Sequence, residues 1–508
     1  MSGLRNINTA FISVWNKDSL EKIIKSLDML GIHIYSTGGT ADFIEKMNSA
    51  VTRVEHLTGY PSVFGGRVKT LHPKIFGGIL ARRKVVSDME DLEKYGIPPV
   101  DLVVVDLYPF EETLESGATP QEIIEKIDIG GISLIRAAAK NFEDVVIIPS
   151  RDHYGDLVDI LDNDGGKTSI EKRKHLAGEA FGISSGYDTA IHSYFTGSKG
   201  QAEFQINHKK ARQLRYGENP HQAAFYHETA GRPFEQLHGK EISYNNFLDI
   251  DAACGLIQEF EETTFAILKH NNACGLASRD NLKQAWLEAL EGDPVSAFGG
   301  VLVTNRQVDK DTAGEINKLF FEVIIAPSYS GEALEVLKEK KNRIILRNNN
   351  IDMPKQVIRS AVGGVLIQDR DTKTESASDL SVVTELVPDE NEISDLLFAN
   401  KIVKHTKSNA IVIAKDKKLL GSGIGQTSRV DALKHAIAKA SGAGFDLAGA
   451  VMASDAFFPF ADSVEIAGKA GINSVIQPGG SVKDKDSIDF CNKNMMKMVF
   501  TGVRHFKH

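Results

Sequence analysis

Residues 266–275 read AILKHNNACG. An apolar run stops at Lys269-His270, and Cys274 follows four residues after the histidine. An amine, an imidazole and a thiol in so short a span could ligate a metal, pair a nucleophile with its base, or move protons. A catalytic zinc takes three protein ligands, and His270 with Cys274 offers two. The zinc deaminase pattern, H-x-E with P-C-x-x-C, is absent. No neighbour marks Cys274 as activated, and a small buried cysteine is the simpler reading. A Cys–His pair whose partners meet only in space stays open.

A second set of reactive residues lies earlier in the chain. STGGT (36–40) can present backbone N–H groups and hydroxyls to an anion at a helix start, or can be a plain tight turn. Lys17 follows an apolar run and can join the same rim. GGRVKTLHP (65–73) places Arg67 and Lys69 two apart, on one face of an extended segment. Tyr108 ends another apolar run. Asp128 precedes Gly130-Gly131, where a helix cap is the ordinary role. Lys140 closes an alanine-rich helix, where a lysine is ordinarily a favourable end charge. No one of these is specific, but five polar clusters on the loops of one unit suggest a phosphate-bearing ligand.

The elements that must position these residues follow from hydrophobic periodicity. TAFISVW (9–15), IHIYS (32–36), VDLVVVDLYPF (100–110) and DVVIIPS (144–150) read as strands. Between the first two, Leu20, Ile23, Ile24, Leu27 and Leu30 recur at helical spacing, with Asp18-Ser19 as cap and Gly31 as stop. DIGGISLIRAAAKN (128–141) reads as a glycine turn running into a helix. This alternation predicts an α/β fold with a mainly parallel sheet, whose ligands sit beyond the carboxyl ends of the strands.

At 508 residues the chain has room for about three folding units. A 42% hydrophobic content excludes a disordered chain, and a formal net charge of −9 argues against nucleic-acid or membrane-surface binding. The three cysteines, Cys254, Cys274 and Cys491, contain no CxxC and fit a reducing compartment. The N-terminus has no secretory h-region, and no apolar run approaches about 20 residues. The expectation is a cytoplasmic protein.

TGSKGQAEFQ (196–205) predicts a domain boundary, giving domains 1–198 and 199–508. DRDTKTESASDLS (369–381) predicts a weaker one, giving subdomains of about 199–368 and 369–508. The second domain carries a faint echo. Leu268-Lys269-His270 is matched by Val403-Lys404-His405, and SAFGG (296–300) by SDAFFPF (454–460). Two apolar strands each ending in Lys-His predict a duplicated α/β subdomain.

SVWNKDSL, STGGTA, TGYPSVFGGRVKTLHPKIFGGILARR, DLYPF and IDIGGISLIRAAAKN together resemble the inosine monophosphate (IMP) cyclohydrolase domain of a bifunctional purine biosynthesis family. That domain has a methylglyoxal synthase-like fold. The resemblance implies that Ser13, Lys17, Thr37, Gly38, Gly39, Thr40, Arg67, Lys69 and Thr70 hold a nucleotide, chiefly its phosphate. It further implies that Lys69, Tyr108, Asp128 and Lys140 surround the reacting base, with Lys140 moving a proton. One departure is Trp15-Asn16, where many members have Ser-Asp, so no role is carried over to position 15.

LRYGENPHQ (214–222), SYNNFLDIDAA (243–253), LKHNNACG, DPVSAFGGV (293–301), KHTKSNA (404–410), GIGQTSRVDA (423–432), SDAFFPFADS (454–463), IQPGGS (476–481) and VRHFKH (503–508) resemble the other half of that family. This is the 5-aminoimidazole-4-carboxamide ribonucleotide (AICAR) transformylase, a duplicated cytidine deaminase-like α/β region. The resemblance implies formyl transfer from 10-formyltetrahydrofolate to AICAR, giving the formylated nucleotide FAICAR, then closure to IMP, with no catalytic metal. His270 would exchange the amine proton, Lys269 would support it, and Asn409 would hydrogen-bond the formyl oxygen. Arg215, Tyr216 and Arg504 would contact nucleotide. Phe298, Gly299, Glu322 and Arg429 would complete that set. Phe457, Asp462, Gln477 and Pro478 would hold the folate. A homodimer with transformylase sites at its interface is also implied. Asn272-Ala273 replaces Asn-Pro of many members, and Glu322 an aspartate of some. Rival readings keep one activity only, or make the chain a catalytically silent nucleotide- or folate-binding protein.

Overall fold

The computed structural model describes residues 3–197, 210–228, 233–349 and 353–508. The chain divides into two compact units, Met1–Lys210 and Ala211–His508. The boundary expected at 196–205 lies mostly outside the described residues.

In the first unit, five strands form one parallel sheet. They are β1 (Thr9–Val14), β2 (His33–Ser36), β3 (Thr52–Arg53), β4 (Leu102–Asp106) and β5 (Val146–Ile148), in the order β3-β2-β1-β4-β5. The central strands are apolar without alternation because helices cover both faces. Phe11, Ile12, Leu102, Val103, Val104 and Ile147 are wholly buried. Helix α1 (Leu20–Met29) buries Leu20, Ile23, Ile24 and Leu27, as their spacing predicts. Ser19 does not cap it. Its φ of 66° is left-handed and its side chain makes no cap bond, whereas an N-cap hydroxyl needs an extended backbone to reach the first turn. Helix α2 (Gly38–Lys46) starts two residues after β2, and α3 (Ile129–Lys140) is capped by Asp128, which accepts the Gly131 N–H at 2.7 Å. Both helix starts thus lie at the carboxyl end of the sheet, and a long helix α4 (Ile170–Thr196) closes the unit.

The second unit is built on one 12-stranded sheet. An edge strand β6 (Phe234–His238) precedes α5 (Tyr244–Ile257), β7 (Thr264–Lys269), β8 (Asn272–Ser278), α6 (Leu282–Gly292) and β9 (Val301–Thr304). Then come α7 (Lys310–Ile316), β10 (Val323–Ala326), α8 (Gly331–Lys338) and β11 (Ile344–Asn348). After a short strand β12 (Ser381–Val382) the order returns: α9 (Glu390–Lys404), β13 (Ile411–Lys415), β14 (Lys418–Gly423), α10 (Arg429–Gly442) and β15 (Val451–Ser454). It ends with α11 (Asp462–Lys469), β16 (Ser474–Gln477), α12 (Asp484–Lys493) and β17 (Lys497–Phe500). The strands lie in the order β6-β11-β10-β9-β7-β8-β14-β13-β15-β16-β17-β12. β8 and β14 meet antiparallel at the centre, so the two copies run outward in opposite senses. α5 and α9 share one core on one face, around Leu256, Ile257, Ala399 and Val403. The other face has a separate core for each copy.

The duplication is therefore present in the topology, but its register is not that of the Lys-His echo. Lys269 ends strand β7, whereas Lys404 ends helix α9 and His405 is its C-cap. Val403-Lys404 is helix, not strand. Counted from the two helix starts, Lys404-His405 corresponds to Gln258-Glu259. SAFGG precedes β9 while SDAFFPF follows β15. The true register is carried by a packing contact. A Cβ on Gly275 of β8 would come 2.0 Å from the Ala289 carbonyl oxygen of α6, and one on Gly421 of β14 2.4 Å from that of Ala436 on α10. Each strand therefore needs glycine where its following helix crosses it. Residues 369–381 are tied into the second unit, with Asp371 and Glu375 on His505 and Thr374 on Glu259.

Candidate functional site

The carboxyl end of the first sheet opens into a cavity of about 510 Å³. Ser13, Lys17, Thr37, Gly39, Thr40, Arg67, Lys69, Thr70, Tyr108 and Asp128 all line it. The Lys69 and Lys17 ammonium groups rest on the glycine turn, 3.8 and 4.0 Å from where Cβ atoms on Gly38 and Gly39 would be. Thr37 makes no side-chain cap, so the first turn of α2 presents backbone N–H groups beside two cations. That is an anion site by construction. Burial lowers the Lys17 amine below its ordinary range, and Lys69 adds to this against the opposing carboxylate of Asp106. A bound anion would relieve both effects. Thr40 is committed to the fold: its hydroxyl donates to Val14 O at 3.0 Å and accepts from Val14 N–H at 3.2 Å.

At the other end of the cavity, burial raises the Asp128 carboxyl above its usual range, opposed by backbone N–H groups of Gly131 and Tyr108 and by Lys69. Burial and Asp128 likewise raise the Tyr108 hydroxyl. A carboxyl moved toward neutrality beside a phenol is suited to proton exchange. Asp128 is held from behind, its N–H donating to Tyr187 Oη at 2.8 Å. Arg67 pairs with Glu125 on the rim. Lys140 is not brought to this group. It is exposed at the last position of α3, about 18 Å along the axis from the Asp128 end. Trp15, to which no role is carried over, and Asp106, Ile124, Ile127 and Ile129, to which the motifs assign none, also line the cavity.

In the second unit, Lys269-His270 lies on the tight turn between β7 and β8. Lys269 pairs with Asn272, leaving His270 and Asn271 as the two turn residues, with φ of 50° and 66°. Positive φ at both is the hairpin geometry that matches strand twist. A left-handed histidine is uncommon, and such strain concentrates at functional sites. Asp249 of α5 holds the turn, accepting the Asn271 N–H at 2.6 Å. His270 shares a small hollow with Asn245, Asp249 and Glu218, and Asn245 donates to Glu218 O at 3.2 Å. That bond brings in the loop bearing Arg215 and Tyr216.

Lys269 Nζ donates to the Phe298 carbonyl, and Gly299 packs against the same ammonium group. Phe298 stacks obliquely on Phe320, and Glu322 is paired with Lys240 at 2.5 Å. Asn272 joins the copies: its amide donates to His270 O at 2.7 Å and accepts the Lys407 N–H at 2.9 Å. Two residues further lies Asn409, whose amide donates to Gln426 O at 3.1 Å and accepts from Arg429 at 2.8 Å. Arg429 is buried and also bound to Ser454 and Asp455, so it orients Asn409. The C-terminal tail pairs with Ser408 through Lys507, placing Arg504 nearby in sequence. Phe457 and Asp462 are partly exposed after β15. Gln477 and Pro478 are buried; the Gln477 amide accepts the Phe458 N–H at 3.2 Å and supports that turn from within. Burial pushes the Cys274 thiol up to about 12, which keeps it protonated and unreactive. Among the described residues no group of three His, Cys, Asp or Glu side chains converges as metal ligands. Asp249 and Asn272 lie within the runs SYNNFLDIDAA and LKHNNACG, but those runs assign neither a role; an Asp on the helix before the hairpin is the one signal for the former.

Residues 19–133 match the model of the MGS-like domain, and residues 138–439 that of the AICARFT/IMPCHase bienzyme. The chain is 59% identical to the Bifunctional purine biosynthesis protein PurH of Bacteroides thetaiotaomicron over 100% of both chains. Against proteins of the same name it is 48% identical in Aquifex aeolicus, over 98% of this chain and 100% of the relative. In Caldicellulosiruptor saccharolyticus the figure is 47%, over 98% and 99%. The chain belongs to the AICARFT/IMPCHase bienzyme family.

Proposed function

We propose that this chain catalyses two successive steps of purine biosynthesis: formyl transfer from 10-formyltetrahydrofolate to AICAR, and closure of the product FAICAR to IMP with loss of water. The observation that carries the reading is coverage. The match to a relative named bifunctional runs the full length of both chains, so neither half is missing. The silent-binder and single-activity alternatives gain no support from the residues present.

In formyl transfer, the aromatic 5-amine is a weak nucleophile because its lone pair is delocalised. His270 takes its proton as the nitrogen attacks the formyl carbon and returns it to N10 as the C–N10 bond breaks and tetrahydrofolate leaves, while Lys269 keeps positive charge beside the developing oxyanion. Asn409 donates to the formyl oxygen with the amide hydrogen that otherwise makes the longer bond, to Thr427 O at 3.4 Å. Arg215, Tyr216, Phe298, Gly299, Glu322 and Arg504 bound the nucleotide; Phe457, Asp462 and the 477–478 turn bound the folate. These candidates spread along one edge of the sheet rather than round one cavity, which favours a homodimer whose partner completes each site. In ring closure, the carboxamide nitrogen attacks the formyl carbon. Lys17, Lys69 and the α2 start hold the phosphate, while Asp128 and Tyr108 exchange the protons that let hydroxide leave as water. Lys140 receives no contact in this scheme. Three free thiols agree with residence in the cytoplasm.

The test supplies purified protein with AICAR and 10-formyltetrahydrofolate and follows tetrahydrofolate and IMP separately. Both products are expected. Binding of both ligands with neither product would leave a silent binder, and tetrahydrofolate without IMP a single-activity enzyme.

A further inference from the structure

The first-unit cavity has two unlike ends. One is cationic, formed by Lys17, Lys69 and the start of α2. The other is apolar and aromatic, formed by Trp15, Tyr108, Ile124, Ile127 and Ile129. Trp15 stands just past β1, and its backbone is fixed on both sides. Its N–H donates to Asp106 O at 3.2 Å and its carbonyl accepts Lys17 Nζ at 2.8 Å. The indole meets the Tyr108 ring edge-on, with centroids 5.0 Å apart and planes at 65°. Lys126 Nζ lies 4.1 Å from the indole centroid. Even so, 44% of Trp15 is exposed.

A large aromatic left half open at a cavity wall, on a rigid backbone, is poor economy as packing. Exposed aromatics occur elsewhere on this chain, such as Tyr60 and Phe64, but Trp15 differs in lining the cavity that also holds Lys17, Lys69 and Tyr108. The arrangement makes sense if a flat ring comes to lie on the indole.

We propose that Trp15 is a substrate-contacting specificity residue of the ring-closing site: it receives the heteroaromatic base of the nucleotide and fixes the Tyr108 ring beside it. This rests on the cyclohydrolase reading of the first unit. The backbone tie from Trp15 to Lys17 links the two ends, so base and phosphate are gripped by one short segment after β1. The edge-on contact limits rotation of Tyr108, and Lys126 over the indole holds that ring in place. Ligands with a phosphate but no flat base should bind weakly, and so should bases without phosphate.

The chain has two tryptophans, and the other, Trp286, is wholly buried in the second unit. Tryptophan emission therefore reads Trp15 directly. Titrating the full-length protein with IMP should change the emission, and Trp15→Phe should remove that change. Ribose 5-phosphate should leave emission unaltered. For ring closure of supplied FAICAR, Trp15→Ser should raise KM about tenfold with kcat within about threefold, the size expected for a lost stacking partner. Trp15→Phe should recover most of the affinity. Formyl transfer by the same preparations should be unchanged. Ring closure by the wild type with no emission change on IMP, or an unaltered KM in Trp15→Ser, overturns the proposal alone. Absence of ring closure in the wild type overturns the cyclohydrolase reading, and this proposal with it. Should Trp15→Ser not fold, the IMP titration of wild type and Trp15→Phe still decides.

Discussion

The second unit contains one hairpin built twice. β7 and β8 turn at His270-Asn271, with φ of 50° and 66°; β13 and β14 turn at Asp416-Lys417, with φ of 51° and 50°. Each turn is held by the sixth residue of the preceding helix. Asp249 accepts the N–H of Asn271 at 2.6 Å, and Asp395 accepts those of Asp416 and Lys417, both at 2.7 Å. Both carboxyls are raised above their usual range, by burial first. Yet the turns face different surroundings. Because β8 and β14 are antiparallel, Ser278 N–H donates to Lys417 O at 3.0 Å, at the far end of β8. The second turn therefore lies about 20 Å from the first, on the opposite edge of the sheet. What sits beside His270 is the start of β13, where Asn409 is, joined through Asn272 and Lys407. Duplication about a two-fold axis puts unlike ends of the two copies on one edge. The proposed site is drawn from unlike positions for that reason.

The sharpest way to break this comparison is to cut both turns. His270→Ala should lower kcat of formyl transfer by about 10²–10⁴-fold, the range for loss of a general base, with ring closure of supplied FAICAR unchanged. Asp416→Ala, the equivalent cut, should leave both rates near wild type. Product-resolved kinetics on the two variants checks this. Equal losses in both would mean that the turns matter only to the fold.

Next in size is the place where the copies touch across the axis. Glu259 and His405 occupy equivalent positions, and Glu259 accepts from His405 at 2.9 Å and from Lys404 Nζ at 2.8 Å. Burial alone would raise the Glu259 carboxyl; His405, Lys404 and Thr374 bring it down to about 2. The Lys404 side chain is 3% exposed. Glu259→Ala leaves that ammonium buried and unpaired, and should cost about 3–5 kcal/mol in urea unfolding. Adding Lys404→Met should restore most of it. A loss below about 1 kcal/mol would show the axis to be plastic.

These contacts also explain what could be read in advance. The parallel sheet of the first unit was legible because strands such as LVVVD and helices such as LEKIIKSL carry their period in a few local residues. The glycine turn at 36–40, Lys17 and the Arg67–Lys69 loop were each legible for the same reason, as local signals, and the sheet brings the three segments together. The register of the duplication was not. It resides in the contacts Gly275–Ala289 and Gly421–Ala436, and matched glycines are too common to stand out. The Lys-His echo misled because Lys404-His405 ends a helix whose partner positions are Gln258-Glu259. Asp249 escaped because it acts on a backbone N–H 22 residues away. Lys140 matched a motif, but the helix that carries it leads away from the cavity.

A smaller effect separates the two aspartates. Asp249→Asn and Asp395→Asn each exchange a charged acceptor for a neutral one, and each should cost about 1–2 kcal/mol in thermal unfolding. Only Asp249→Asn should also slow formyl transfer, by about tenfold, because it alone lets the His270 backbone relax from its left-handed φ. The first copy would then differ from the second in what its turn carries, and not in how the turn is made. Stability losses without a difference in kcat would place His270 outside the reaction.

The smallest effect concerns the tail that braces the second copy's contribution. His505 is buried between Asp371, at 2.6 Å, and Glu375, at 3.1 Å, and Asn400 donates to Glu375 at 2.9 Å. Burial alone would lower the imidazole; the two carboxylates outweigh it and raise it to about 9. A group whose pKa is higher folded than unfolded stabilises fully below its unfolded value, near 6.5, and loses that contribution as pH rises through about 9. The tail also bonds Asp455 O through the His505 N–H and Ser408 through Lys507. Loosening it should therefore disturb Asn409 and Arg504 and leave the first unit untouched. Between pH 7.5 and 9.5, KM for AICAR in formyl transfer should rise about threefold beyond any change in His505→Gln, whose tail carries no proton to lose. Amide exchange at residues 503–508 should quicken over the same interval. The histidine of the first copy is proposed to act at the reacting atoms, whereas this one would act only by holding its strand of chain in place, so its loss should move KM and leave kcat nearly fixed.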